Sequence, residues 1–129
     1  MIKLLIVDDE PDVLDLLADA FIVVGNQVTK SGDGMEALEI FKTGDFDIAI
    51  LDVELPEMSG FELTTEIKKI KPDFPVVLIT GYSHLYRPQD VLSLDVEAFL
   101  KKPINIPELN SIINQIIARK KQHRRISGP

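Results

Sequence analysis

The chain has 129 residues, enough for about one domain, and with 45% hydrophobic and 27% charged residues it has the composition of a folded globular protein rather than a disordered or fibrous one. There is no cysteine, which excludes disulfides, thiol catalysis and thiolate metal sites and fits a reducing cytoplasm, and the two histidines leave little for a zinc site. Five of the fourteen Lys and Arg (Arg119, Lys120, Lys121, Arg124, Arg125) fall in residues 119–129, leaving nine cations against twenty-one acids, a net of −12, over residues 1–118. Such an acidic body repels nucleic acid and phosphate unless a cation or a local basic group intervenes.

In chain order the pattern reads β-α five times. Leu4 to Val7, Ile48 to Leu51 and Val76 to Ile79 are apolar runs of the kind found in strands buried on both faces of a parallel sheet. Val28 to Ser31 and Ala98 to Leu100 are weaker strands. Pro11 to Val24 has Pro in a first-turn position, Val13, Leu14, Leu17, Phe21 and Val24 at helical spacing, and Gly25 as a stop. Asp33 to Lys42 carries Met35, Leu38 and Phe41 on one helical face. Ser59 with Glu62, and Asn105 with Glu108, have capping-box spacing and open helices reaching about Lys69 and Arg119. Pro88 falls where a fourth helix is due and predicts that this helix starts late or is broken. The longest apolar runs, such as Ala20 to Val24, span five residues, too short for a membrane segment or a signal peptide core.

Alternating strands and helices with short links predict right-handed crossovers onto one sheet, a three-layer α/β/α sandwich. Five strands favour the flavodoxin-like (βα)5 order 2-1-3-4-5. In such sheets ligands bind beyond the carboxyl ends of the strands. Here the first strand ends in Asp8 and Asp9, the third in Asp52, the fourth in Thr80 and the fifth in Lys101, Lys102 and Pro103. Any one of these taken alone is more often an exposed polar residue, but three acids on neighbouring strand ends repel one another and call for a cation. Magnesium, a hard ion that takes carboxylates together with a phosphate oxygen, is the natural partner. Asp52 can then attack phosphorus to form an aspartyl phosphate, with Thr80 donating a hydrogen bond to the new group. The first turn, Asp8 to Asp12, is anionic and lacks glycines, which disfavours nucleotide or flavin phosphate binding there.

Four segments, IVDDEPD at 6–12, ILDVELPEMSG at 50–60, VVLITG at 76–81 and FLKKP at 99–103, resemble the receiver domain of the two-component response regulator family over about residues 2–118. Chemotaxis regulators of that family have the strand order given above, so order and resemblance are one inference. The resemblance implies that Asp52 is the phospho-acceptor, that Asp8, Asp9, Asp52 and the backbone carbonyl of Glu54 hold Mg2+, and that Lys102 pairs with the phosphoryl group. It further implies that Thr80 and Phe99 are the switch pair and that Pro103 follows a cis bond. Glu54 and Tyr82, two residues beyond Asp52 and Thr80, are candidates for tuning phosphoryl lifetime. The expected donor is a histidine kinase or phosphotransfer protein, and the expected output is a downstream protein partner, a missing output domain or a phosphorylation-dependent homodimer. Asp95 stands where glycine is usual before the fifth strand, and with Pro88 it reshapes the expected output face.

The domain reading is residues 1–118 as receiver and 119–129 as a basic tail or linker start, with no direct nucleic-acid or membrane binding expected. The function reading is a cytoplasmic signalling switch, not an enzyme, limited to phosphoryl transfer onto itself and slow autodephosphorylation. Two alternatives stand beside it. A small Mg2+-dependent phosphatase of haloacid dehalogenase type needs its nucleophile on the first strand and an acid two residues on, where Glu10 stands, with a cap domain that the chain lacks. A non-phosphorylated interaction module of the same fold would be marked by loss of an acid, Thr80 or Lys102, and none is lost.

Overall fold

The computed structural model describes the backbone of residues 1–127 and the side chains of residues 1–122. Five parallel strands, β1 (Lys3–Val7), β2 (Gln27–Ser31), β3 (Ile48–Asp52), β4 (Val76–Thr80) and β5 (Ala98–Lys101), form one sheet in the order β2-β1-β3-β4-β5. The helices are α1 (Pro11–Val23), α2 (Gly34–Thr43), α3 (Gly60–Ile70), α4 (Pro88–Leu92) and α5 (Ile106–Ser127), with a 3₁₀ turn at Ser83–Leu85. The expected class and strand order are both present.

The apolar runs are continuous because both faces of the sheet are covered. Successive side chains of a strand point to opposite faces. Leu4 and Ile6, Ile48 and Ile50, and Val77 and Ile79 pack with Leu17 and Phe21 of α1 and with Leu109, Ile113 and Ile116 of α5. Leu5 and Val7, Ala49 and Leu51, and Val76 and Leu78 pack on the other side with Ala37 and Phe41 of α2 and Leu63 and Ile67 of α3. Each fully buried Leu, Ile or Val contributes about 1.5–3 kcal/mol, so β1, β3 and β4 form the firm centre of the molecule.

Local signals set most helix ends. Pro11 occupies the first turn of α1, and Gly25, with φ 95°, takes the left-handed conformation that stops it. Asp33 Oδ1 accepts from the Met35 and Glu36 amides, Ser59 Oγ accepts from the Glu62 amide, and Asn105 Oδ1 accepts from the Glu108 amide. Pro88 does not break α4 but begins it, where a missing N–H costs nothing. The result is a helix of five residues, none of them buried. Asp95 adopts φ 55° in the turn before β5, the conformation for which glycine is usual. Helix α5 runs past the expected end near Arg119 as far as Ser127, through a Lys-, Gln- and Arg-rich stretch of good helix formers. The side chains of His123, Arg124 and Arg125 lie outside the described residues.

Candidate functional site

Strand register brings the named residues to one end of the sheet. Val7 lies opposite Leu51, which puts Asp8 level with Asp52, while Asp52 lies opposite Ile79 and Thr80 opposite Lys101. Beyond the strands the backbone ladder continues, with the Asp8 amide donating to the Ser31 carbonyl at 3.1 Å, Val53 to Ile79 at 2.9 Å and Lys102 to Thr80 at 2.8 Å. Asp8, Asp52 and Thr80 therefore leave the sheet still held by it. Their relative exposures are 2%, 3% and 0%, and such burial of the two acids is unusual and a mark of a built site rather than loop decoration.

Lys102 stands among the acids. Its Nζ lies 3.1 Å from Asp8 Oδ2, 3.0 Å from Glu10 Oε1 and 3.2 Å from Asp52 Oδ2. Lys101, by contrast, is exposed at the end of β5. The Lys102–Pro103 bond that follows is cis. Burial and the neighbouring Asp8 charge push the Asp52 carboxyl up to about 7, against the opposing pull of Lys102 and of the Glu54 amide, which donates to Asp52 Oδ1 at 3.2 Å. The Lys102 ammonium moves up as well. Burial disfavours its charge, but Glu10, Asp8 and Asp52 more than offset that. The Asp52 shift thus comes first from burial and then from the Asp8 charge, and the Lys102 shift from the three acids that ring one ammonium.

Carboxylate oxygens of Asp8, Asp9, Glu10 and Asp52 all lie within 4.8 Å of one another. This set is all hard oxygen, carries more negative charge than one ammonium neutralises, and includes an acid whose ionised form is disfavoured, so it fits a hard divalent cation. Glu10 was not among the expected ligands. Its only sequence signal is its place as a third consecutive acid after β1. The backbone carbonyl of Glu54 belongs to the turn directly after Asp52, whose amide folds back onto that carboxylate.

The remaining residues lie toward β4 and β5. The Thr80 hydroxyl donates to Glu54 Oε2 at 2.7 Å and accepts from the Tyr82 amide at 2.9 Å. Tyr82 itself is 52% exposed. Phe99 is half-buried, its ring stacked on Phe61 at 6.4 Å between centroids and edge-on to Tyr86 at 6.2 Å. Tyr86 is a residue that sequence reasoning missed. Its phenol donates to Glu54 Oε2 across 32 positions of chain, a contact no local pattern announces. His84 is exposed.

The fold and much of the sequence recur in known proteins. The response regulator receiver domain family matches residues 4–114. The chain is 34% identical over 123 residues to the response regulator SaeR of Staphylococcus aureus, covering 95% of this chain and 54% of SaeR. It thus spans about half the length of the curated relatives it matches. Among solved structures, it is similar to a CheY-like receiver domain protein of Methanospirillum hungatei (25% identity, TM-score 0.88, 95% of this chain and 98% of that one). It is also similar to the Thermotoga maritima response regulator TrrA in complex with Mg(2+)-BeF (35% identity, TM-score 0.81, 90% of this chain and 99% of that one). With the family model matching most of its length and a curated relative at 34% identity, the chain belongs to the response regulator receiver domain family.

Proposed function

We propose that Asp52 is the residue that accepts the phosphoryl group, with Asp8, Asp9, Glu10, Thr80 and Lys102 as its machinery. The observation that carries this reading is the placing of the Asp52 carboxylate at 3.2 Å from Lys102 in a cluster of four acids. Asp8, Asp9, Asp52 and the Glu54 carbonyl would hold a magnesium ion, with Glu10 as an added carboxylate. When bound, that ion supplies positive charge to the transferred oxygens.

An Asp52 oxygen attacks phosphorus, the new O–P bond forms, and the P–N bond of a phosphohistidine donor breaks. The departing imidazole nitrogen keeps the electron pair and takes a proton from water. Lys102, already within reach of Asp52, neutralises charge on the phosphoryl oxygens as they arrive. Thr80, anchored at the end of β4, donates its hydroxyl to one of them. Added charge of about −1.5 to −2 next to Thr80 then biases a two-state equilibrium, with Phe99 as the responding aromatic and α4, β5 and α5 as the output surface. Tyr82 and Glu54 stand where they can govern the access of water to the acyl phosphate.

The donor in this reading is a histidine kinase or phosphotransfer protein in the cytoplasm. The output is a protein contact, a further domain joined after residues 119–129, or a homodimer. Among the described residues no helix is long and apolar enough to cross a membrane. The phosphatase alternative is not favoured, because the chain matches the receiver domain family and Asp52, the acceptor in this reading, ends β3 rather than β1.

Incubation with Mg2+ and acetyl phosphate, read by intact mass, tests the assignment. One labile phosphoryl group is expected on the parent and none on Asp52→Asn. Labelling that survives the substitution rejects Asp52, and sustained turnover of a small phosphate ester rejects the switch in favour of an enzyme.

A further inference from the structure

Glu54 turns its carboxylate away from the acid cluster and toward β4. Oε2 accepts from both the Thr80 hydroxyl and the Tyr86 phenol, each at 2.7 Å, and Oε1 accepts from the Gly81 amide at 3.1 Å. A hydroxyl has one proton to donate, so Thr80 has none left for a phosphoryl oxygen while Glu54 holds it. The Tyr86 phenol is likewise committed; burial and the bond to Glu54 push it up to about 12. One carboxylate thereby ties the turn after β3 to residues 26, 27 and 32 positions further along the chain.

We propose that Glu54 is a latch: its carboxylate holds Thr80 and the 81–86 segment in the resting arrangement, and a phosphoryl group on Asp52 opens it by taking the Thr80 proton. The proposal rests on Asp52 as acceptor and goes further by naming what the phosphoryl group must displace. A dianionic group with three acceptor oxygens outcompetes a carboxylate for one hydroxyl and repels that carboxylate as well. Thr80 and Tyr86 share a single oxygen of Glu54, so expelling Glu54 frees both at once. The Tyr86 ring lies edge-on to Phe61 at 5.0 Å and to Phe99 at 6.2 Å, and α4 begins two residues later at Pro88. Release of Tyr86 therefore reaches the aromatic cluster and the start of α4 together. With no buried residue in α4 or in the 3₁₀ turn before it, the segment has little else to hold it.

The test uses the whole chain in two measurements. First, amide hydrogen exchange is followed over residues 81–92 without phosphorylation. Losing a charge-assisted bond is worth about tenfold in a local opening equilibrium, so Glu54→Gln is expected to exchange there about tenfold faster than the parent. Tyr86→Phe, which keeps the ring, should exchange about threefold faster, and the double variant should match Glu54→Gln. Unchanged exchange in Glu54→Gln, or effects that multiply in the double variant, overturns the latch. Second, Tyr82→Phe leaves Tyr86 as the one tyrosine, whose ring carbon is followed by NMR before and after Mg2+ with beryllofluoride. Its signal should move to the position seen in Glu54→Gln, and should stay put when Glu54→Gln itself is treated. Equal movement in both overturns the proposal. Failure of the Asp52 assignment shows separately, as a response that persists in Asp52→Asn, and leaves the first measurement to decide on the latch.

Discussion

The centre of the sheet and its β4–β5 edge are built to different standards. β3 and β4 are buried along their whole lengths, whereas β5 is only partly covered and α4, beside it, buries nothing. Leu85 and Leu92 expose 63% and 78% of their surface on this edge, while Leu51 and Leu78 in the centre expose none. The carboxylates that need fixed geometry stand on the firm part, and the residues expected to respond stand on the loose part. In the proposed reading, chemistry and response are thus separated by packing density within one small domain.

The sharpest way to break this contrast is a matched pair of leucine truncations followed by chemical denaturation. Leu78→Ala is expected to cost about 2–5 kcal/mol and Leu92→Ala to stay within about 0.5 kcal/mol; similar losses would dissolve the distinction. Gly60 tests the centre from the backbone side. A Cβ there would run into the Asp52 carbonyl oxygen and meet the Val53 Cα at 2.9 Å, neither of which can move without moving the site. Gly60→Ala should cost about 2–4 kcal/mol and weaken phosphorylation in parallel.

A third prediction concerns charge. With the Asp52 carboxyl raised to about 7, the folded chain binds a proton between about pH 4 and pH 7 that the unfolded chain has released. Stability contributed by this group therefore falls as pH rises through that window. In chelator, Asp52→Asn is expected to be about 1–3 kcal/mol more stable than the parent at pH 8. That difference should shrink toward pH 5, and a gap independent of pH would contradict the cause given for the shift. The smallest effect lies at the edge. Asp95 holds φ 55°, and Asp95→Gly should raise the midpoint slightly, by about 0.5 kcal/mol or less, since relief of strain is offset by a freer unfolded chain.

The sheet was legible because strands buried on both faces leave an unbroken apolar signature, and the acids were legible because each interrupts one at its end. Pro88 announced a disturbed fourth helix, but not that it would serve as that helix's first residue. Composition did not reveal how far α5 continues, since a basic stretch is equally suited to a linker and to a helix. Of the residues at the site, Glu10 could have been read from its neighbours. The side-chain role of Glu54 and the presence of Tyr86 could not, because hydrogen bonds across 26 to 32 positions depend on where β4 and the segment after it come to rest.

One side chain crosses the boundary between the two regions. Lys102 leaves the end of β5, an edge strand with no buried residue, and reaches the acids that follow β1 and end β3. It works as a guy-line: the tension on it is set by the negative charge it faces, and its far end is pegged to the movable margin. Any change in ionisation at Asp52 thus changes the charge that Lys102 faces at the end of β5.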